Sequence, residues 1–298
     1  MIRQTWLFNG TDASGHAGLW ETNEAADGTY ELTGVPTGVF NPADFTLFNN
    51  EVLFQGQDTS LLYGIGETNG TAAGTTELGG FGSTGIHGAS SSGLLQSPNT
   101  FDPDFTVFNG EVLFEGVDAS GDHGLWMTNG TAAGTTEIGG IANGNIFGAY
   151  ASGLLRSITD PDFTVFNGEV LFEGVDASGD HGLWMTNGTA AGTTEIGGIA
   201  NGDIFGAYAS GLLRGISDPD FTVFNGEVLF DGVNTSGHGG LWVTNGKTFG
   251  TSELIGISGV NTLIGLYPSD MTVCSRAPTA PARWACGRRT VTRRERPS

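Results

Sequence analysis

Residues 163–220 repeat residues 105–162 almost without change. The two copies differ at only three positions, which are Asn145 against Asp203, Ser157 against Gly215 and Thr159 against Ser217. Looser copies are centred on Trp20, Gly66 and Trp242. Five copies of one supersecondary unit therefore account for nearly the whole chain, and internal repetition of this kind predicts a repeat architecture.

Each full copy has a part of fixed length and a part of variable length. A phenylalanine and a glutamate keep the same spacing in the four pairs Phe45 and Glu77, Phe105 and Glu137, Phe163 and Glu195, and Phe221 and Glu253. The segment that joins each glutamate to the next copy varies in length. This pattern indicates a rigid unit connected by surface loops, where binding functions usually lie.

The fixed part contains the signals of four short strands. Asn109-Gly110 lies between two short apolar runs and supplies the positive φ angles of a two-residue hairpin turn. A loop then precedes a third strand, Leu125–Thr128, and a turn precedes a fourth, Thr135–Ile138. Gly accounts for 51 of 298 residues, which also favours turns over helices. The sequence predicts an all-β fold, a five-bladed β-propeller of four-stranded antiparallel blades.

The faces of the hairpin and the ends of the chain favour a closed ring. Apolar residues occur on both faces of the hairpin, which suits a sheet packed between two neighbours. The first copy begins at the second strand, and Asp270–Val273 aligns with the first strand of the other copies. We expect this C-terminal strand to pair with the N-terminal blade and cover its edge. An open β-repeat array is the alternative.

The joining segment 139–162 is too long for a structureless loop in a compact domain. Phe147, Tyr150, Leu154 and Leu155 predict that it packs against the blades, as a short helix or an extra strand.

Charge divides the chain into a repeat domain, residues 1–273, and a basic tail, residues 274–298. Seven of the eleven Lys and Arg residues are arginines of the tail, although the net charge of the whole chain is −21. We interpret the tail as a shifted reading frame or artificial terminus, or as a genuine basic tail, and expect it to be disordered. Both cysteines, Cys274 and Cys286, lie in it.

The acidic repeat domain would repel phosphate, so nucleic acid and anionic membranes are not expected partners. No apolar run is long enough to span a bilayer, and the N-terminal residues do not resemble a signal peptide. We expect a monomer or a part of a longer repeat protein.

One segment resembles a known repeat. Leu125-Trp126-Met127-Thr128-Asn129-Gly130-Thr131, with its copies at 65–75, 183–193 and 241–251, is similar to the ELWxxDGT repeat of large bacterial surface and secreted proteins. In this chain a glycine (Gly18, Gly64, Gly124, Gly182, Gly240) replaces the leading Glu, and Asn replaces the Asp. The resemblance implies β-propeller-like repeats, an extracellular or cell-surface location and an adhesive or structural role. It implies no catalytic residues.

Two loops have the spacing of calcium ligands. Asp118, Ser120 and Asp122 place oxygen atoms at alternate positions, as calcium loops do, and Asp176, Ser178 and Asp180 repeat them. Ca²⁺ is therefore a candidate ligand and no other cofactor is predicted. The alternative is a hairpin loop held by Asp and Ser side-chain turns.

The remaining candidate residues favour structural roles. Trp20, Trp126, Trp184 and Trp242 occur once per copy in mid-strand, which favours an inter-blade core over stacking on sugars. The histidines at 16, 123, 181 and 238 are interpreted as solvated loop residues. The sequence thus predicts a non-catalytic module that binds a protein or glycan ligand or acts as a spacer. A lectin-like or sialidase-like propeller is the alternative, although no pair of carboxylates stands out as a catalytic pair.

Overall fold

The computed structural model describes residues 5–32, 40–82, 85–96, 102–254, 273–276 and 284–287. Within these ranges the chain is all-β, and its helices are 3₁₀ turns of three residues. These turns are Ala26–Gly28, Ala72–Gly74, Ala132–Gly134, Ile141–Asn143, Ala190–Gly192, Ile199–Asn201 and Thr248–Gly250. None of the described residues belongs to a helix long and apolar enough to cross a membrane.

Five antiparallel sheets follow the five sequence copies. Sheet 1 contains β1 (Trp6–Thr11), β2 (Ala17–Thr22) and β3 (Thr29–Glu31). Sheet 2 contains β4 (Phe40–Phe48), β5 (Glu51–Gln57), β6 (Tyr63–Thr68) and β7 (Thr75–Gly79). Sheet 3 contains β8 (Thr106–Phe108), β9 (Glu111–Val117), β10 (His123–Thr128) and β11 (Thr135–Glu137). Sheet 4 contains β12 (Thr164–Phe166), β13 (Glu169–Val175), β14 (His181–Thr186) and β15 (Thr194–Glu195). Sheet 5 contains β16 (Thr222–Phe224), β17 (Glu227–Val233), β18 (Gly239–Thr244) and β19 (Ser252–Glu253).

Strands within each sheet follow chain order, because each connection is a hairpin. Asn109 and Gly110 have φ angles of 51° and 81°, so the predicted turn chemistry joins β8 to β9. The predicted register is confirmed at Val107, which lies opposite Val112.

Both faces of sheets 2, 3 and 4 are buried, because each of these three sheets packs between two others. In sheet 3, Val112, Phe114 and Trp126 belong to a core shared with sheet 2. Leu113, Leu125 and Met127 on the opposite face belong to a core shared with sheet 4. Neighbouring residues along a strand point to opposite faces, so one strand supplies both cores.

The tryptophans form part of these inter-sheet cores. Trp126, Trp184 and Trp242 are fully buried, and Trp20 is half-buried. The core interpretation is therefore confirmed for the three buried residues, and stacking of those residues on sugars is excluded.

The joining segment after sheet 3 connects two sheets through its backbone. Leu155 N donates to His123 O of its own sheet at 3.2 Å, and Val175 N of sheet 4 donates to Leu154 O at 2.8 Å. Leu154 and Leu155 are fully buried, as predicted, and the segment also contains a short 3₁₀ turn. Phe147 is the exception, because 87% of it is exposed. The prediction that Phe147 packs against the sheets was wrong.

Ring closure is not observed. Sheet 1 has three strands, and no described strand pairs with the outer edge of β1. Asp270–Thr272 lie outside the described residues. Val273 begins β20 (Val273–Arg276), which pairs with β21 (Trp284–Gly287) in a separate two-stranded sheet. Seven tail residues, together with Val273, thus form a strand pair where the sequence predicted disorder, and the rest of the tail lies outside the described residues.

Candidate functional site

The loops predicted to bind calcium are held by their own aspartates. Asp118 Oδ1 accepts hydrogen bonds from Ser120 N at 2.8 Å and Asp122 N at 2.9 Å. The second copy is the same, with Asp176 Oδ1 accepting from Ser178 N at 2.8 Å and Asp180 N at 2.9 Å. Asp118 and Asp176 are fully buried, whereas Ser120 and Ser178 are exposed. No group of three or more His, Cys, Asp or Glu side chains suited to a metal occurs within the described ranges. Calcium binding by these loops stays a prediction.

The same loops receive the joining segment of the preceding sheet. Ala119 N donates to Gly88 O at 2.8 Å, and Ala177 N donates to Gly148 O at 2.7 Å. Thr235 N donates to Gly206 O at 2.9 Å in the third instance. Each loop is therefore a docking point between consecutive sheets.

A glutamate lies beside each of these loops. In sheet 5, Asn234 Nδ2 donates to Glu253 Oε1 at 3.1 Å. The equivalent residues of sheet 3 are Asp118, which corresponds to Asn234, and Glu137, which corresponds to Glu253. Burial, followed by the charge of Asp118, raises the pKa of Glu137 to about 8. Glu137 therefore tends to hold a proton at neutral pH, because two buried charges side by side would be costly.

The position of Glu137 explains why residue 124 is a glycine. A Cβ atom at Gly124 would collide with Glu137 Oε1 and would lie 2.9 Å from Asn143 Oδ1. Gly182 faces Glu195 in the same way.

Two glutamate–histidine pairs were missed by the sequence reasoning. Glu115 Oε1 lies 2.6 Å from His123 Nδ1, and Glu173 Oε1 lies 2.6 Å from His181 Nδ1. The interpretation of these two histidines as solvated was wrong, because their side chains are only 13% and 27% exposed. Glu115 lies opposite Leu125. It therefore shares a face with His123, which lies two residues from Leu125 along β10. The sequence signal for this pair is a glutamate eight residues before a histidine, on the neighbouring strand of a hairpin.

The pairs are electrostatically coupled. Burial raises the pKa of Glu115 to about 7, against the hydrogen bond from His123, which lowers it. The hydrogen bond to Glu173 raises the pKa of His181 by more than burial lowers it. In both pairs burial raises the pKa of the glutamate, and the hydrogen bond with the imidazole opposes this by favouring the charged carboxylate.

Acidic turns precede the first strands of sheets 3, 4 and 5. Asp104 Oδ2 accepts a hydrogen bond from Phe163 N of the next sheet at 2.5 Å, and Asp162 Oδ2 accepts from Phe221 N at 2.6 Å. Burial raises the pKa of Asp162 well above its ordinary value, and the charge of Asp160 raises it further. These carboxylates link consecutive sheets through hydrogen bonds to backbone amides.

A small recess opens between sheets 2 and 3 beside one glutamate–histidine pair. Its polar lining consists of Gln55, Gln96, Asp102, Glu115 and His123. Gln55 Nε2 donates to Gln96 O, and Gln96 Nε2 lies 3.1 Å from His123 Nε2. With Nε2 accepting from Gln96, the imidazole donates from Nδ1 to Glu115. One continuous network therefore connects the two sheets.

No protein-family model matches this sequence, and no curated protein matches it. Among solved structures, the chain is similar to a puromycin hydrolase, with 12% sequence identity and a TM-score of 0.43, over 91% of this chain and 37% of that one. The acylaminoacyl peptidase of Pyrococcus horikoshii has 9% identity and a TM-score of 0.31, over 92% and 46% of the two chains. An α-L-arabinofuranosidase of Clostridium thermocellum has 12% identity and a TM-score of 0.23, over 77% and 76%.

This chain spans less than half the length of the hydrolase and of the peptidase. The three similarities are too weak to carry an argument about activity. The class of protein is defined by the chain's own residues: it is an all-β repeat protein, built of antiparallel sheets packed in series.

Proposed function

We propose that this chain is a non-catalytic, propeller-like module of an exported bacterial repeat protein, and that it binds a partner protein through its joining segments. One observation carries the proposal. Four large apolar side chains of the joining segments are exposed at equivalent positions, Ile141 and Ile199 at 53% and 48%, and Phe147 and Phe205 at 87% and 92%. We call these four residues the apolar row.

The apolar row lies outside the inter-sheet cores, which contain none of its members. A Cβ atom at Gly148 would lie 3.8 Å from Ile199 Cγ1, so Ile199 lies beside the residue that follows Phe147 in the preceding joining segment. Full burial of one phenylalanine contributes about 1.5–3 kcal/mol. Two such residues on a rigid scaffold supply the apolar anchors that are typical of protein interfaces. The resemblance to the ELWxxDGT repeat supports export.

The test is a peptide library displayed on phage and selected against the purified chain. Enriched peptides are synthesised, and their affinities are measured by calorimetry for the wild type, for a Phe147→Ser, Phe205→Ser double variant and for Phe249→Ser. Phe249 is the matched control, because it is fully exposed but lies outside the joining segments. We expect the double variant to weaken binding at least tenfold and the control to preserve it.

A glycan array and a screen of chromogenic glycosides and aminoacyl arylamides accompany this test. Equal affinities of all three proteins for the selected peptides would refute binding through the apolar row. Glycan binding that the double variant abolishes would instead favour a lectin. Turnover of any substrate, retained in highly purified protein, would refute a non-catalytic role.

We propose further that the five sheets close into a five-bladed propeller, with the segment Asp270–Thr272, which precedes β20, along the outer edge of β1. The exposed edge of a three-stranded sheet and the alignment of these residues with β8 support closure. A closed ring is compact, and small-angle scattering should then give a radius of gyration of about 19 Å. A clearly larger value for monomeric protein would favour the open array.

A further inference from the structure

The network in the recess ends at two acceptor atoms without a donor among the described residues. Glu115 Oε2 and Gln55 Oε1 are both buried and lack a hydrogen-bond partner there. Glu115 is 4% exposed and Gln55 is fully buried, and both line the recess. Buried acceptors are costly unless a donor or a cation compensates them.

The acidic groups around the recess favour a cation over a neutral donor. Asp102 lines the recess beside Glu115, and its charge acts on Glu115 together with that of Asp160. Gln96 contributes no charge, whereas its counterparts in the next two joining segments are Arg156 and Arg214. The junction of sheets 2 and 3 thus has the acidic groups of the later junctions without their arginine.

We propose that this recess binds a hard divalent cation of the Ca²⁺ type, with Glu115 and Gln55 as side-chain ligands and Asp102 beside them. Carboxylate and amide oxygens are the ligands that Ca²⁺ prefers, and water molecules complete its coordination. The recess has room for about one particle of the size of a water molecule, which suits a single ion rather than an organic ligand.

His123 positions Glu115 and is not itself a ligand. Its Nδ1 lies 2.6 Å from Glu115 Oε1 and its Nε2 lies 3.1 Å from Gln96, so both ring nitrogens are engaged. This arrangement leaves Glu115 Oε2 without a partner among the described residues, and it resembles the way in which outer hydrogen bonds orient ligands in metal sites.

Terbium, a luminescent substitute for Ca²⁺, provides a local test. Trp126 packs against Gly116, which lines the recess, because a Cβ atom at Gly116 would lie 2.7 Å from Trp126 Cδ1. Excitation of tryptophan should therefore sensitise a terbium ion bound there. The full chain is freed of metal with a chelator, titrated with Tb³⁺ and then with Ca²⁺. We expect a saturable emission that Ca²⁺ displaces.

Three variants give the test its specificity. Glu115→Gln removes the charged ligand, and Gln96→Arg introduces the arginine of the later junctions, so both should weaken Tb³⁺ binding at least tenfold. Glu173→Gln alters the equivalent pair in sheet 4 and should retain the emission of the wild type. Circular dichroism identifies any variant that fails to fold, and the other variant then decides. The proposal would be overturned if no saturable emission appeared, as expected when the recess holds only an ordered water. Equal emission from all folded variants would overturn it as well.

Discussion

Gly116 offers a direct test of the inter-sheet packing. It lies in β9, and a Cβ atom there would approach Trp126 Cδ1 to 2.7 Å and Leu94 Cδ1 to 3.0 Å. Trp126 is fully buried between sheets 2 and 3 and cannot move aside without disturbing that core. Gly239, in β18, is the matched control, because a Cβ atom there would meet nothing within 4 Å.

Substitution by alanine at Gly116 and at Gly239 should change the free energy of unfolding in opposite directions. Replacement of a strand glycine by alanine gains about 0.5–1 kcal/mol of backbone entropy. An overpacked core costs about 1–3 kcal/mol. Gly116→Ala should therefore lower the free energy of unfolding by about 1–2 kcal/mol net, since the packing cost exceeds the entropic gain. Gly239→Ala should raise it by about 0.5 kcal/mol.

The assay is equilibrium unfolding in urea, followed by tryptophan fluorescence and far-ultraviolet circular dichroism. In a Trp126→Phe background, where the ring is smaller, Gly116→Ala should lose most of its effect. If Gly116→Ala stabilises the protein as Gly239→Ala does, or destabilises it equally in both backgrounds, the packing of Trp126 on Gly116 is refuted.

Three further predictions concern the core, the joining segments and pH. Trp126→Ala should lower the free energy of unfolding by about 3–5 kcal/mol in the same urea assay, whereas exposed Phe249→Ala should change it little. Gly153→Ala should destabilise the protein by more than about 2 kcal/mol, because Gly153 has a φ of 101° and a Cβ atom there would collide with His123 O. Gly110→Ala should cost less, because a Cβ atom at Gly110 meets only the strain of a positive φ. The folded-state pKa of Glu137, about 8, is raised above 4.5, so its protonated form favours folding and stability should fall between pH 4.5 and 8. Melting scans of Glu137→Gln should show a weaker fall, and an unchanged slope would contradict this assignment.

Strand positions were predictable because they depend on local chemistry. Asn109-Gly110 fixes a hairpin turn, and alternation along β9 assigns Val112 and Leu113 to opposite faces whichever sheets lie there. The three-stranded sheet 1 followed from the alignment of the copies. The alignment does not predict the pairing of the closing strand in the same way, because the sequence diverges from the repeat after Val273.

The site was harder to predict, because it depends on contacts between strands and between sheets. The Asp118 loop was recognised, yet spacing alone does not reveal that Asp118 Oδ1 closes the loop onto Ser120 and Asp122. His123 was assigned to solvent because its neighbours in sequence are loop residues. Its burial follows from the diagonal contact with Glu115. The prediction for Phe147 was wrong in the opposite direction. Its apolar side chain predicted burial, but the side chain is exposed.

The docking of each joining segment onto the following loop bears on how the repeat arose. The third and fourth units each carry both halves of this contact, the amides of Ala119 and Ala177 and the carbonyls of Gly148 and Gly206. Tandem gene duplication of such a unit creates a complete new junction at once, with no compensating mutations elsewhere. The near identity of residues 105–162 and 163–220 fits a recent event of this type. Interchangeable junctions carry a cost during refolding, because a segment can engage the loop of the wrong copy.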